Sequence, residues 1–67
     1  MSRVKDLRRR RGMTARELAE RAGVTQRAVF KWERDGTGRM RLGCAVRVAR
    51  ALGVRVEELY EEERESN

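Results

Sequence analysis

Five residues in the middle of the chain, Gln26, Arg27, Phe30, Lys31 and Arg34, recur at separations that put them on one face of a helix. A Gln amide offers the paired donor and acceptor that match adenine, Arg or Lys donates to O6 and N7 of guanine, and an exposed aromatic ring can touch the methyl of thymine. None of the five is acidic, so nothing among them opposes phosphate. Gln26, Arg27, Phe30 and Lys31, in the N-terminal half of this helix, are the candidate base-reading residues. For Phe30 the competing reading is packing against a neighbouring helix or a second copy of the chain; for Gln26 and Arg27 it is a plain solvated face.

The helix that would carry them is predicted over residues 26–34. Thr25 is its cap, and the turn residues Asp35, Gly36, Thr37 and Gly38 end it. Its other face gathers Ala28, Val29, Trp32 and Glu33. A preceding helix is predicted over 15–22, because Thr14 with Glu17 three residues on reads as a capping box and Gly23 stops it. The turn between the two is only residues 23–25, short enough to cross them at roughly 90–120°. Further helices are expected over 4–11, stopped by Gly12, over 42–52 on a stripe of Leu42, Ala45, Val46, Ala49 and Leu52, and over 56–63. The reading is an all-α, five-helix domain over residues 1–63, with 64–67 as a frayed end.

Composition narrows what such a domain can do. The 67 residues are 42% charged and formally +6, with no His and one Cys, Cys44. No zinc set, His-based acid–base pair, nucleophile with an evident base or phosphate-binding glycine loop is present, so neither enzyme activity nor a metal or other cofactor is expected. No apolar run reaches the ~18 residues of a membrane span and no secretion signal is evident, which gives the expectation of a soluble cytoplasmic protein with no membrane partner. The charge is uneven. Residues 1–56 carry sixteen Lys and Arg against five acids, whereas residues 57–67 hold six Glu and only Arg64. A basic body of this kind suits a polyanion, nucleic acid before membrane.

Leu7, Arg8, Gly12, Met13, Thr14, the run Glu17, Leu18, Ala19, then Ala22, Gly23, Val24, Thr25, the pair Trp32, Glu33, and Ala49, Ala51, Leu52, Gly53, Val54 and Leu59 together resemble the XRE family, the Cro and phage-repressor type of helix-turn-helix. The resemblance covers most of the chain. It implies a domain whose third helix lies in the major groove of double-stranded DNA, usually as a homodimer on a two-fold operator. It points to Gln26, Arg27 and Lys31 as base readers, whereas Phe30 rests on geometry alone. It also implies that Glu33 pairs with Arg8, and that Arg41 occupies the place from which relatives can reach the minor groove.

Arg16, Arg34, Arg39 and Arg41 are the candidates for contact with the DNA backbone, beside the amide groups at the starts of helices two, three and four. Ala15 stands where relatives commonly have a phosphate-contacting Gln, and the loop from Asp35 to Arg41 looks one residue longer than usual, with Met40 where Pro is frequent. Val54, Val56, Leu59 and Tyr60 lie where relatives often pair and form the expected dimer interface. The function expected is a sequence-specific transcriptional regulator of the repressor kind. The alternative is an antitoxin-like module whose last helix and acidic end hold a partner protein.

Overall fold

The computed structural model describes residues 3–60. Four α-helices follow one another, α1 (Arg3–Arg10), α2 (Ala15–Ala22), α3 (Gln26–Asp35) and α4 (Leu42–Leu52), and a short 3₁₀ helix (Val56–Tyr60) follows α4. No strand occurs among the described residues. The fold is therefore all-α, with four α-helices and a 3₁₀ turn where sequence reading expected five helices. The helix expected over 56–63 is the element that differs. Its Glu58 amide bonds back to the Arg55 carbonyl in the tighter i→i+3 pattern. The carbonyls of Glu58 and Leu59 accept side-chain donors, Arg3 Nε at 3.2 Å and Thr37 Oγ1 at 2.9 Å. Those two carbonyls serve tertiary partners. Residues 61–63, and the end at 64–67, lie outside the described residues.

Helix α2 packs on both α3 and α4, while α1 packs on α3 and on the 3₁₀ helix, which also rests on α4. The core between them takes Val4 and Leu7 from α1, Leu18, Ala19 and Ala22 from α2, Val29 from α3, Ala45, Val48, Ala49 and Leu52 from α4, and Leu59. Helix α4 departs from its expected stripe. Val48 is fully buried, Val46 is half-buried, and Leu42, the first residue of the helix, is 73% exposed. The core-facing arc is centred on 45, 48, 49 and 52, and Leu42 extends past the end of the core.

The α2–turn–α3 unit is fixed by its caps. Thr14 Oγ1 accepts from the Glu17 amide at 3.1 Å while the Glu17 carboxylate accepts from the Thr14 amide at 2.8 Å. Gly23, at φ 71°, makes the left-handed turn that ends α2, a conformation costly for a residue with a Cβ. Thr25 Oγ1 then accepts from the Ala28 amide at 3.0 Å and opens α3.

Candidate nucleic-acid interface

Helix α3 is attached to the body along one narrow side. Val29 is its one fully buried residue, with Ala28, Trp32 and Glu33 half-buried beside it. Gln26, Arg27, Phe30 and Lys31 are all exposed, Phe30 at 51%. One amide, a guanidinium, an ammonium and an apolar ring thus share one solvent-facing surface without a carboxylate between them: hydrogen-bond donors, an acceptor and an apolar contact, which is the equipment for base edges.

The inner face is held by an ion pair. Arg8 Nε meets Glu33 Oε2 at 2.7 Å and Nη2 meets Oε1 at 3.3 Å, while Arg8 Nη1 donates to the Met13 carbonyl at 2.8 Å. Their side chains are 13% and 8% exposed. The two-pronged geometry neutralises a carboxylate that would be costly alone there, and it ties α3 to α1.

The C-terminal end of α3 differs from the sequence expectation. The helix runs one residue further, to Asp35, which adds a second acid to Glu33. Asp35 accepts from Arg34 Nε at 3.1 Å and from Nη2 at 3.4 Å. Those hydrogen bonds hold the Asp35 carboxyl below the ordinary carboxylate range against an opposing push from desolvation, with the charges of Arg34, Lys31 and Arg39 adding to the effect. The same hydrogen bonds raise Arg34. Arg34 therefore reaches a phosphate only in competition with its own neighbour.

Of the other backbone candidates, Arg16 is exposed and lies 3.5 Å from Glu20. Ala15, where relatives commonly carry Gln, is buried at the start of α2. Arg39 and Arg41 are exposed on the loop that joins α3 to α4, on either side of buried Met40. Arg41 is also the residue before α4, and no side chain caps that helix. Its first-turn amides are thus unclaimed by a capping side chain, whereas the Thr caps occupy one amide each at α2 and α3. Lys31, Trp32, Asp35, Gly36, Gly38 and Arg39 line a cleft of 470 Å³ between α3 and this loop.

The run Arg9, Arg10, Arg11 is divided. Arg10 pairs with Asp6 at 3.2 Å, Arg11 donates to the Gly53 carbonyl at 3.2 Å, and Arg9 is exposed. Among the residues expected at a dimer interface, Leu59 is 1% exposed and packs in the domain's own core. Val54, Val56 and Tyr60 are half-buried at the edge of the core. Sequence reading missed Thr37. It is the buried polar residue of the α3–α4 loop, 4% exposed.

Two helices packed over a capped three-residue turn, the second exposing Gln26, Arg27, Phe30 and Lys31, have the arrangement of a helix-turn-helix. A family model described as helix-turn-helix matches residues 4–59. The chain belongs to the helix-turn-helix family, of the XRE type. No match was found among curated proteins or among solved structures. As a helix-turn-helix domain it is a double-stranded DNA-binding module of the transcription-regulator class. No described helix is long and apolar enough to cross a membrane, and no group of three metal-ligating side chains forms among the described residues.

Proposed function

We propose that this helix-turn-helix domain is a sequence-specific repressor that binds a two-fold operator as a homodimer, one α3 per half-site. The observation that carries this reading is the outer face of α3: Gln26, Arg27, Phe30 and Lys31 exposed together, without a salt bridge to any acid among the described residues. Gln26 then suits adenine, Arg27 and Lys31 suit guanine, and Phe30 suits a thymine methyl, each good contact giving about 1–3 kcal/mol of discrimination. Arg16, Arg39 and Arg41 supply sequence-independent attraction from the flanks of α3. Arg34 joins them once it leaves Asp35.

A single recognition helix reads few base pairs, so two copies on half-sites about 34 Å apart provide the length of site a regulator needs. The half-buried side chains of Val54, Val56 and Tyr60 supply the apolar edge for that pairing. Repression follows from occupancy, since a dimer seated on its operator blocks other proteins from the same DNA.

Selection from a random duplex pool followed by fluorescence anisotropy tests the reading. The expected result is an enriched inverted repeat whose affinity falls steeply with salt. Arg27→Ala should relax preference at one base pair, whereas Arg39→Ala should weaken all sequences alike. Absence of any enriched site, or binding indifferent to salt, would overturn the proposal, and a monomer in sedimentation on and off DNA would remove its dimeric part.

A further inference from the structure

From the burial and bonding of Thr37 we infer that this residue is the positioning residue for the DNA-backbone loop, a role that rests on the proposed contact of Arg39 and Arg41 with phosphate. The loop between α3 and α4 contains two glycines, and Gly36 has a φ of 91°. Left to itself such a loop samples many paths, and two arginines on it would reach phosphate only after a large loss of conformational freedom.

The loop is instead pinned at three successive places. The Gly36 amide donates to the Trp32 carbonyl at 2.9 Å, continuing from the end of α3. The Thr37 hydroxyl donates to the Leu59 carbonyl at 2.9 Å, across 22 residues of chain, in a buried site. The Met40 amide returns to the Thr37 carbonyl at 3.0 Å, and the Met40 side chain is 8% exposed. Between and after these anchors stand Gly38, Arg39 and Arg41, all exposed. Thr37 and Met40 face inward, and the two arginines project from the same short span.

Thr37 is the central anchor, since it bonds through its side chain to the 3₁₀ helix and through its carbonyl to the turn. Its partner is itself held: Glu58, beside Leu59, accepts from Arg3 of α1 through its carbonyl. The hydroxyl thus references the loop to α1 and the 3₁₀ helix, which belong to the core that also carries α3. Arg39 and Arg41 are thereby placed relative to the base-reading face before DNA arrives, and less ordering is left to the binding step.

The test compares Thr37→Val, which keeps the shape and removes the donor, with Thr37→Ser, which keeps the donor. Folding is followed by circular dichroism, and DNA affinity is measured by anisotropy at several salt concentrations well below each melting midpoint. Thr37→Val should bind operator and random duplex about 3–10-fold more weakly, with a salt slope shallower by about 1, the signature of a lost phosphate contact. Its ranking of operator variants should be unchanged, and Thr37→Ser should restore affinity and slope. If Thr37→Val does not fold, Thr37→Cys, a weaker donor, is read against the same expectation. Wild-type affinity and slope in a folded donor-deficient variant, or failure of Thr37→Ser to restore them, would overturn the inference. Arg39→Ala with Arg41→Ala separates the two levels. If that pair leaves affinity and slope intact, the phosphate role of the loop is wrong and the inference falls with it; if the pair weakens binding and loss of the Thr37 donor does not, the inference alone is overturned.

Discussion

Arg8 holds both carboxylate oxygens of Glu33 and, with its remaining donor, the carbonyl of Met13, so one guanidinium joins the end of α1 to the inner side of α3. The pair is nearly closed to solvent, and that sets what happens when half of it is removed. Arg8→Ala leaves the Glu33 carboxylate without its counter-charge, and Glu33→Ala leaves the guanidinium without its own. Each should cost about 3–5 kcal/mol, a large part of the stability of so small a domain. Replacing both with apolar residues of similar volume should cost far less. Urea titrations of the two single variants and the double variant measure this directly, and equal losses in all three would contradict it.

Asp35 stands at the end of α3 with its charge engaged by Arg34. Its lowered pKa keeps it ionised through neutral and mildly acidic pH, where it attracts Arg34 and repels phosphate. Asp35→Asn should therefore tighten DNA binding at low salt and steepen the salt slope by up to about one contact, as Arg34 becomes available. Anisotropy against a random duplex isolates the effect from base reading. A slope equal to that of the wild type would show that Arg34 does not reach the backbone.

The capping box makes stability depend on acid. The Glu17 carboxyl is held below its ordinary value, first by the Thr14 amide and next by the Thr14 side chain. A carboxyl depressed in the folded state contributes stability that is fully present above its unfolded pKa, and loses it as pH falls through the folded value. Thermal melts of the protein and of Glu17→Gln should differ at neutral pH and converge as pH drops below the ordinary carboxylate range. A constant difference down to strong acid would assign the contribution elsewhere.

At the start of α3 the cap is simpler. Thr25→Ala removes one hydrogen bond to the Ala28 amide and should destabilise by about 1 kcal/mol. Because Thr25 opens the helix that bears Gln26 and Arg27, specific binding should weaken with the frayed first turn even where the domain remains folded. Helicity and operator affinity, measured on the same sample, check both halves of the statement.

Gly53 and Gly12 form a matched pair of left-handed turns, at φ 71° and 66°. A Cβ on Gly12 would meet nothing, whereas one on Gly53 would lie 2.9 Å from Arg11 Nη2. Gly12→Ala should show the backbone penalty alone, about 1–2 kcal/mol. Gly53→Ala should cost little more, because the atoms it meets are the tip of the exposed, flexible Arg11 side chain, and that small excess should vanish in an Arg11→Ala background. Chemical denaturation of the four variants gives the comparison.

The legible parts of the fold are those written in local chemistry. Thr14 with Glu17 and Gly23 marks the two ends of α2, and Thr25 marks the start of α3, because caps act within a few residues of where they stand. The segment after α4 is less legible. Val56, Leu59 and Tyr60 have a spacing that fits an α-helix, but the described turn is 3₁₀, and its carbonyls accept from Arg3 and Thr37, 55 and 22 residues away. On α4, Val46 and Val48 flank the apolar stripe; sequence reading places Val46 on it, whereas Val48 is the one fully buried, with the helix packed against α2 and the 3₁₀ helix. The exposed face of α3 could be read from periodicity. Thr37, a small polar residue among glycines, looks like any turn residue, and nothing near it in the sequence announces a partner.

The slender attachment of α3 has a consequence for how such a domain acquires new targets. Only Val29 on that helix is fully buried, and Glu33 is its ionic tether, so the side chains at 26, 27, 30 and 31 have almost no duty in folding. Substitutions there should leave stability within about 0.5 kcal/mol of its starting value. The scaffold and the outer face of α3 are thus separable inheritances: if that face reads DNA as proposed, a lineage can change which DNA it finds without renegotiating how it folds.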